Sequence, residues 1–256
     1  MIYLDNAATS FPKPREVLLK TGNYIRRYCG NPGRSSHRLA ARAAWEVFLA
    51  REAVASFIGL GEPEKIVFTQ NATHALNIAI KTAITERCHV LTSDMEHNSV
   101  IRPLEKLKRT LGVQYSTFSL EGNLYDNMKS VLRSDTKAVI CTLASNVTGR
   151  RADVSMLSRF CKEHTLRLIL DASQLIGHEE INLSATPCSI LCAPGHKALL
   201  GLQGSGFVAF ADGIAGDSFM EGGSGTDSRS VDIRHRNNGI SLIRSSRLRS
   251  TSDLIS

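Results

Sequence analysis

Residues 191–206 read LCAPGHKALLGLQGSG and place Lys197 directly after a short apolar run, between two groups of glycines. Gly195 lets the backbone approach a ligand closely, and three later glycines favour a turn over a helix. The neighbouring His196 can donate a hydrogen bond to an anion. Lysine amines form Schiff bases with carbonyl groups, so Lys197 is a candidate covalent catalyst. The alternative is a solvated lysine on a surface turn.

A second segment, residues 166–174 (LRLILDASQ), predicts a buried strand that ends in polar residues. Asp171 and Gln174 follow this strand, and ligands of α/β sheets bind beyond the carboxyl ends of the strands. Together with Lys197, Asp171 favours pyridoxal phosphate, whose protonated ring nitrogen pairs with a carboxylate so that the ring accepts electrons. The alternative is that Asp171 caps the following turn.

The composition bounds the class of protein. At 256 residues with 42% hydrophobic content, the chain can bury one substantial core. It contains no run of eighteen apolar residues and no N-terminal secretion signal, so we expect a cytoplasmic protein and no membrane partner. The six cysteines include no CxxC pair. Their scatter favours reduced thiols over a disulfide or zinc framework, and we predict no metal site.

The net charge of +7 is unevenly distributed. Residues 229–256 hold six arginines and two acidic residues, so they contribute 6 − 2 = +4 and leave +3 for the rest of the chain. An anionic cofactor and substrate account for this mild excess, and no basic stripe alternates with aromatic residues. The charge therefore predicts no nucleic-acid partner.

The hydrophobic period changes repeatedly along the chain, which predicts strands that alternate with helices and a parallel sheet covered on both faces. Residues 1–14 form a turn-rich N-terminal segment, and Ser35 or Ser36 can cap the second helix. Predicted helices cover 15–28, about 36–58, a segment that opens at 71–73, 99–111 and 125–133; predicted strands cover 66–68, 89–92, 113–118, 138–143 and the run that ends at Asp171.

Four further candidate residues follow predicted strands. Ala72 and Thr73 open a helix, where free N–H groups and a hydroxyl suit an anion, although Thr73 can instead be a simple cap. His97 can stack on a ring or be a surface or capping residue. Asn146 can hydrogen-bond a phenolic oxygen or stabilise the turn 146–149.

Six motifs in this order resemble class V aminotransferases, specifically the cysteine desulfurase and selenocysteine lyase branch. The resemblance extends over about residues 1–230. Each motif is weak alone, but six in the right order make chance agreement improbable. The motifs are LDNAAT (4–9), NAT (71–73), EHNS (96–99), SNVTG (145–149), DASQ (171–174) and PGHK (194–197).

This resemblance implies a pyridoxal-phosphate fold type I large domain over residues 15–230, with a mostly parallel seven-stranded sheet between layers of helices. Lys197 would bind the cofactor covalently and move the substrate Cα proton, Asp171 would pair with the pyridine nitrogen, and His97 would stack on the ring. The implied catalytic residues are these three.

The resemblance also implies how the rest of the cofactor is held. Thr73 and His196 would bind the phosphate, while Asn146 and Gln174 would approach the phenolic oxygen. Ser224 would lend a hydroxyl to the phosphate in a neighbouring subunit, which implies a homodimer. The implied cofactor-binding residues are Ala72, Thr73, His97, Asn146, Asp171, Gln174, His196, Lys197 and Ser224.

The implied reaction converts cysteine to alanine and a transferable sulfur, with cysteine or selenocysteine as substrate and a sulfur-acceptor protein as partner. Alternatives are another lyase of this family, a non-catalytic cofactor-binding protein, or a nucleotide-binding Rossmann protein. The last is disfavoured because the GLQGSG run (201–206) follows the lysine instead of opening a helix after the first strand.

Two departures from the family pattern shape our expectations. Pro194 stands where many relatives have a phosphate-binding serine. Relatives also continue into a small domain with a nucleophilic loop cysteine and a carboxylate-binding arginine, neither of which we can assign here. Residues 231–256 are rich in Arg and Ser, and we predict that they do not fold alone. A changed reading frame or a cut gene would explain this tail, and the alternative is a natural basic extension. We also expect the chain to turn over cysteine slowly.

Overall fold

The structure is a computed structural model that describes residues 2–33 and 37–212. The predicted tail 231–256 and Ser224 lie outside this part of the chain. In the described residues the α-helices are α1 (Arg15–Tyr28), α2 (Arg38–Phe57), α3 (Ala72–Ala83), α4 (Asn98–Leu111), α5 (Leu124–Ser130) and α6 (Val154–Glu163). The strands are β1 (Ile66–Thr69), β2 (His89–Ser93), β3 (Gln114–Phe118), β4 (Thr136–Thr142), β5 (Arg167–Asp171), β6 (Ile190–Pro194) and β7 (Gly206–Phe210).

All seven strands form one sheet in the order β1-β7-β6-β5-β4-β2-β3. Strand β7 pairs antiparallel with both of its neighbours, and the remaining pairs are parallel. The prediction of a mostly parallel seven-stranded α/β sheet is confirmed. No strand was predicted over β7. Because an antiparallel neighbour needs no crossover helix, β7 follows β6 through the short lysine loop.

Helices cover both faces of the sheet, as predicted. Alternate residues of β4 point to opposite faces, and they belong to two separate apolar clusters: Val139 and Cys141 to one, Ala138 and Ile140 to the other. The first cluster includes Ala55 of α2, Met128 of α5 and Phe160 of α6. The second includes Leu76 of α3 and Leu104 of α4. Because both faces are buried, the middle residues of β4 and β5 form continuous apolar runs, and polar residues stand at the strand ends.

Side-chain caps begin most of the helices. Asn71, Asn123 and Asp153 each accept a hydrogen bond from a backbone N–H in the first turn of α3, α5 and α6. The cap of α2 is His37, whose Nδ1 accepts from Ala40 N at 3.3 Å. The serines predicted for this role, at 35 and 36, lie outside the described residues.

Most predicted bounds agree with the structure to within a few residues, and α1 agrees fully. Helix α5 ends at Ser130, earlier than predicted, because the chain turns there to enter β4. Helix α6 was not predicted, although Asp153 caps it and Leu157 and Phe160 lie one turn apart on its buried face. None of the helices in the described residues has the length and apolar character needed to span a membrane.

Candidate functional site

A cavity of about 400 Å³ opens at the carboxyl ends of the parallel strands. Because these ends lie at one edge, residues far apart in the chain meet there. Eight of the nine sequence-predicted cofactor residues line it, and the ninth, Ser224, lies outside the described residues. The eight are Ala72, Thr73, His97, Asn146, Asp171, Gln174, His196 and Lys197.

The first turn of α3 forms one end of the cavity. Asn71 caps this helix by accepting from His74 N at 2.8 Å, so the capping role considered for Thr73 is wrong. The Thr73 hydroxyl instead lies 2.7 Å from Ser99 Oγ. Strand β7 starts directly against this helix end, because a Cβ atom on Gly206 would lie 2.9 Å from the carbonyl carbon of Asn71. The free N–H groups of this turn and the Thr73 hydroxyl suit an anion.

His97 joins β2 to α4 and lines the cavity. It is also the N-cap of α4, because its Nδ1 accepts from Ser99 N at 3.1 Å. The capping alternative for His97 is therefore realised, and the same side chain lines the cavity. The cap fixes the ring relative to the helix, since a ring that rotates away loses this hydrogen bond.

Asp171 ends β5 and is only 2% exposed. Its Oδ1 accepts from Ser173 N at 2.9 Å and from the Ser173 hydroxyl, so the turn-capping alternative also describes it. Burial raises the pKa of Asp171, while the Ser173 hydrogen bonds and the charges of Lys197 and His97 act in the opposite direction. A buried carboxylate of this kind is stabilised by a cation placed beside it.

Lys197 is partly buried in the loop between β6 and β7. Three backbone hydrogen bonds of 2.8 Å close this loop: Gly195 N to Ser205 O, Gly201 N to Gly195 O and Leu200 N to Lys197 O. The loop is the predicted turn and not a helix. Burial lowers the pKa of Lys197, and the Asp171 charge acts in the opposite direction. A solvated surface lysine does not describe this environment, and a lowered pKa leaves more of the nucleophilic free amine.

The N-terminal segment is attached to the lysine loop through His196. The His196 carbonyl oxygen accepts from Thr9 Oγ1 at 3.0 Å, Ser10 N at 3.2 Å and Lys13 Nζ at 2.7 Å. Thr9 Oγ1 also lies 3.1 Å from the ring Nδ1. Burial lowers the pKa of His196, and the charges of Lys197 and Lys13 act in the same direction. An anion beside the ring would favour its protonated form.

Gln174 and Asn146 complete the cavity wall. Gln174 Nε2 donates to the Ala7 carbonyl oxygen at 3.1 Å, so it also holds the N-terminal segment in place. Asn146 is exposed. The turn after it is held by Ser145, whose hydroxyl accepts from Val147 N and Thr148 N, both at 3.2 Å. The side chain that stabilises this turn is therefore Ser145 and not Asn146.

Sequence reasoning assigned no role to Glu96, which lies directly before His97. Its Oε1 accepts from the Ser93 hydroxyl at 2.5 Å and from Thr142 N at 2.7 Å, whereas its buried Oε2 has no hydrogen-bond partner among the described residues. Burial raises the pKa of Glu96 to about 8, and the nearby charge of Asp171 acts in the same direction. Only the EHNS motif itself pointed to this residue.

Sequence reasoning also missed cavity-lining residues that carry no charge, including Ser99, Thr142 and Ser173. Ser99 lies two residues after His97, and this position in the motif is the only sequence signal for it. Pro194 lines the cavity at the end of β6 and supplies no hydroxyl there, in agreement with the departure noted from its sequence.

Comparison with known proteins gives relatives that include cysteine desulfurases. The chain is 32% identical over 208 residues to a probable cysteine desulfurase of Streptomyces coelicolor, covering 77% of this chain and 50% of the relative. It is 33% identical over 220 residues to a probable cysteine desulfurase of Methanothermobacter thermautotrophicus, covering 84% and 54%. The apo structure of a cysteine desulfurase from Thermococcus onnurineus NA1 superposes with a TM-score of 0.76 and 30% identity, covering 82% and 54%.

The chain spans about half the length of the curated relatives it matches. The family described as aminotransferase class-V matches residues 2–238. This match covers most of the chain and all eight cavity residues described above. With the fold type I sheet and the cavity at its carboxyl edge, it shows that the chain belongs to the aminotransferase class-V family.

Proposed function

We propose that the cavity binds pyridoxal 5'-phosphate and that the chain carries the cofactor-binding half of a cysteine desulfurase, which converts cysteine to alanine and a transferable sulfur. The observation that supports this most directly is the meeting of Lys197, the buried Asp171 and the first turn of α3 around one cavity. A nucleophilic amine, a buried carboxylate and an anion site are the three groups that this cofactor needs.

The residues present fit the cofactor. A volume of about 400 Å³ lies in the range of small-molecule sites, which is roughly 300–1,000 Å³. The buried Asp171 matches a ring cation, and the first turn of α3 lines the cavity and offers backbone N–H groups to a phosphate. Pro194 contributes no hydroxyl, so we propose that Thr73, His196 and the α3 N–H groups hold the phosphate.

When bound, pyridoxal phosphate supplies an aldehyde that couples to amines and a ring that withdraws electrons from the substrate Cα. Lys197 would attach the cofactor and hold or return the Cα proton, because its pKa is lowered by burial. Asp171 would keep a proton on the ring nitrogen through charge pairing. His97 would lie against the ring face, and Asn146 and Gln174 would contact its phenolic oxygen side.

The sulfur must leave the substrate to a thiolate. All six cysteines are among the described residues; five are buried, Cys29 is exposed, and none lines the cavity. Burial raises the pKa of the thiols of Cys141 and Cys192 well above the usual range, which makes them poor nucleophiles. We therefore propose that the accepting thiol comes from outside the described residues or from a sulfur-acceptor protein.

The remaining parts of the proposal concern assembly and location. We propose a cytoplasmic homodimer in which Ser224 reaches the phosphate of the neighbouring subunit, and a role in sulfur metabolism. These points rest on the family resemblance, and the free thiols suit a reducing compartment. Selenocysteine as the substrate, another lyase reaction of the family, and cofactor binding without turnover are the alternatives.

Borohydride reduction tests the covalent attachment. Protein incubated with pyridoxal phosphate, reduced and digested should carry the label on Lys197, and Lys197→Ala should carry none there. Lys106→Ala, which removes an exposed lysine of α4, is the matched control and should label as the parent does. A label found mainly on other lysines would overturn the assignment.

Turnover assays separate the alternatives. Alanine formation from cysteine and from selenocysteine, each with dithiothreitol as the accepting thiol, should favour one substrate if the chain is active. A full-length relative serves as the control. If Lys197 is labelled but neither substrate yields alanine, the result supports cofactor binding without turnover and contradicts the desulfurase proposal.

A further inference from the structure

Ser99 links the two ends of the cavity. This residue lies in the first turn of α4 and is 7% exposed. Its hydroxyl lies 2.7 Å from Thr73 Oγ1 and 2.8 Å from His97 Nδ1, and its backbone N–H donates to the same Nδ1 at 3.1 Å. Thr73 and Ser99 are 26 positions apart in the chain and belong to different helices.

The direction of these hydrogen bonds follows from counting donors. A backbone N–H only donates, so His97 Nδ1 holds a lone pair and the neutral ring carries its proton on Nε2. The Ser99 hydroxyl, beside the same lone pair, therefore also donates to Nδ1. A hydroxyl has one hydrogen, so the Ser99 oxygen must accept from Thr73. Without an anion, the hydrogens run from Thr73 to Ser99 to His97.

In this arrangement the Thr73 hydroxyl has used its only hydrogen and presents lone pairs to the cavity. An anion at the start of α3 needs a donor, so Thr73 must turn its hydrogen towards the anion. The 2.7 Å contact then survives only if Ser99 donates to Thr73. Ser99 can no longer donate to His97, whose Nδ1 keeps the backbone N–H alone.

We propose that Ser99 is a positioning residue: its backbone N–H fixes the Nε2-protonated tautomer of His97, and its hydroxyl adds a second hydrogen bond to Nδ1 that couples the anion end of the cavity to the His97 ring. This inference rests on the proposed function, because that function is what makes the anion end a phosphate site. Anion binding reverses the hydrogen-bond chain and removes one of the two donors to Nδ1. Anion binding beside Thr73 therefore changes the hydrogen bonding of the His97 ring.

Long-range ¹H–¹⁵N correlation spectra of cofactor-free, ¹⁵N-histidine-labelled protein test the proposal, with the His97→Gln spectrum as the assignment. His97 should be the Nε2–H tautomer in the parent. In Ser99→Ala its Nδ1 resonance should move towards the position of a less hydrogen-bonded nitrogen. Inorganic phosphate should cause a shift in the same direction in the parent and little change in Ser99→Ala. We also expect phosphate to bind Ser99→Ala about fivefold more tightly than the parent, because binding to the parent costs the Ser99–His97 hydrogen bond and the variant has no such bond to lose.

Ser116→Ala is the matched control, because the Ser116 hydroxyl lies 2.9 Å from Nε2 of the buried His89, outside the cavity. It should move the His89 resonances and leave those of His97 and the phosphate response unchanged. Unaltered His89 resonances in Ser99→Ala show that the fold is retained.

The proposal is overturned if His97 is the Nδ1–H tautomer, if Ser99→Ala leaves its Nδ1 resonance in place, or if phosphate moves that resonance equally in parent and variant. None of these measurements uses pyridoxal phosphate. A failure to label Lys197 would overturn the proposed function and leave the tautomer result standing, so the two failures are distinguishable.

Discussion

Replacing Glu96 with Gln should change how the stability of the chain depends on pH. The carboxyl accepts two hydrogen bonds at Oε1 and buries Oε2 without a partner among the described residues, which favours the protonated acid. A glutamine has nearly the same shape and keeps its oxygen for Ser93 and Thr142. Glu96→Gln is therefore a neutral mimic of the acid that cannot ionise.

The sign of the effect follows from proton binding. Burial raises the pKa of Glu96 from 4.5 to about 8, so between these values the folded chain holds a proton that the unfolded chain has released. The free energy of unfolding therefore falls as pH rises through this window, and it is flat below and above it. At about 1.4 kcal/mol per pH unit, the parent should lose about 5 kcal/mol relative to Glu96→Gln by pH 8 and above.

Urea unfolding of the cofactor-free chain, followed by circular dichroism at several values between pH 5 and 9, measures this difference. The two proteins should have similar unfolding free energies near pH 5, and Glu96→Gln should become progressively more stable above it. Glu52→Gln, at an exposed position on α2, is the control and should show no such trend. A parent-minus-variant difference that is constant across this range would refute the reasoning.

Three further substitutions, one of them with a matched control, test the site and the fold. Asp171→Asn should retain the covalent label on Lys197 but slow Cα proton exchange of a bound amino acid by roughly a hundredfold, because the charge paired with the ring nitrogen is lost; an unchanged exchange rate would contradict the role. Gly177→Ala should destabilise the chain by about 2 kcal/mol or more, because its φ is +85° and a Cβ would lie 2.9 Å from the backbone of Ala198, next to Lys197. The control Gly149→Ala, at a φ of +70° with open space around it, should show only the smaller cost of backbone strain. Equal urea midpoints for Gly177→Ala and Gly149→Ala would show that the contact with Ala198 is unimportant. Phe160→Ala empties a fully buried position and should cost about 3–5 kcal/mol in urea unfolding, and a cost below about 1 kcal/mol would mean that the core closes around it.

Much of the fold could be predicted because the relevant signals are local. The apolar period over Arg15–Tyr28 is typical of a helix, and the continuous apolar run that ends at Asp171 is typical of a strand buried on both faces. These patterns depend only on which residues face the core. Parallel strands place their carboxyl ends at one edge, so Lys197, Asp171 and His97 could be expected to meet before any coordinates existed.

Other features depend on contacts between distant parts of the chain, which no local pattern encodes. The Thr73–Ser99 hydrogen bond joins residues 26 positions apart, and the Thr9–His196 contacts join residues 187 positions apart. The antiparallel position of β7 depends on its pairing with β1, a strand far away in the sequence, as well as with β6. The raised pKa of Glu96 exists only because packing removes its carboxyl from water. The sequence by itself indicated most of the elements and the residues of the candidate site, because residue type and hydrophobic period report these locally, and its motifs indicated the family. Only the tertiary structure decided which hydroxyl contacts which ring and which carboxyl keeps its proton, because those outcomes depend on distances of a few ångströms set by the packing of separate elements.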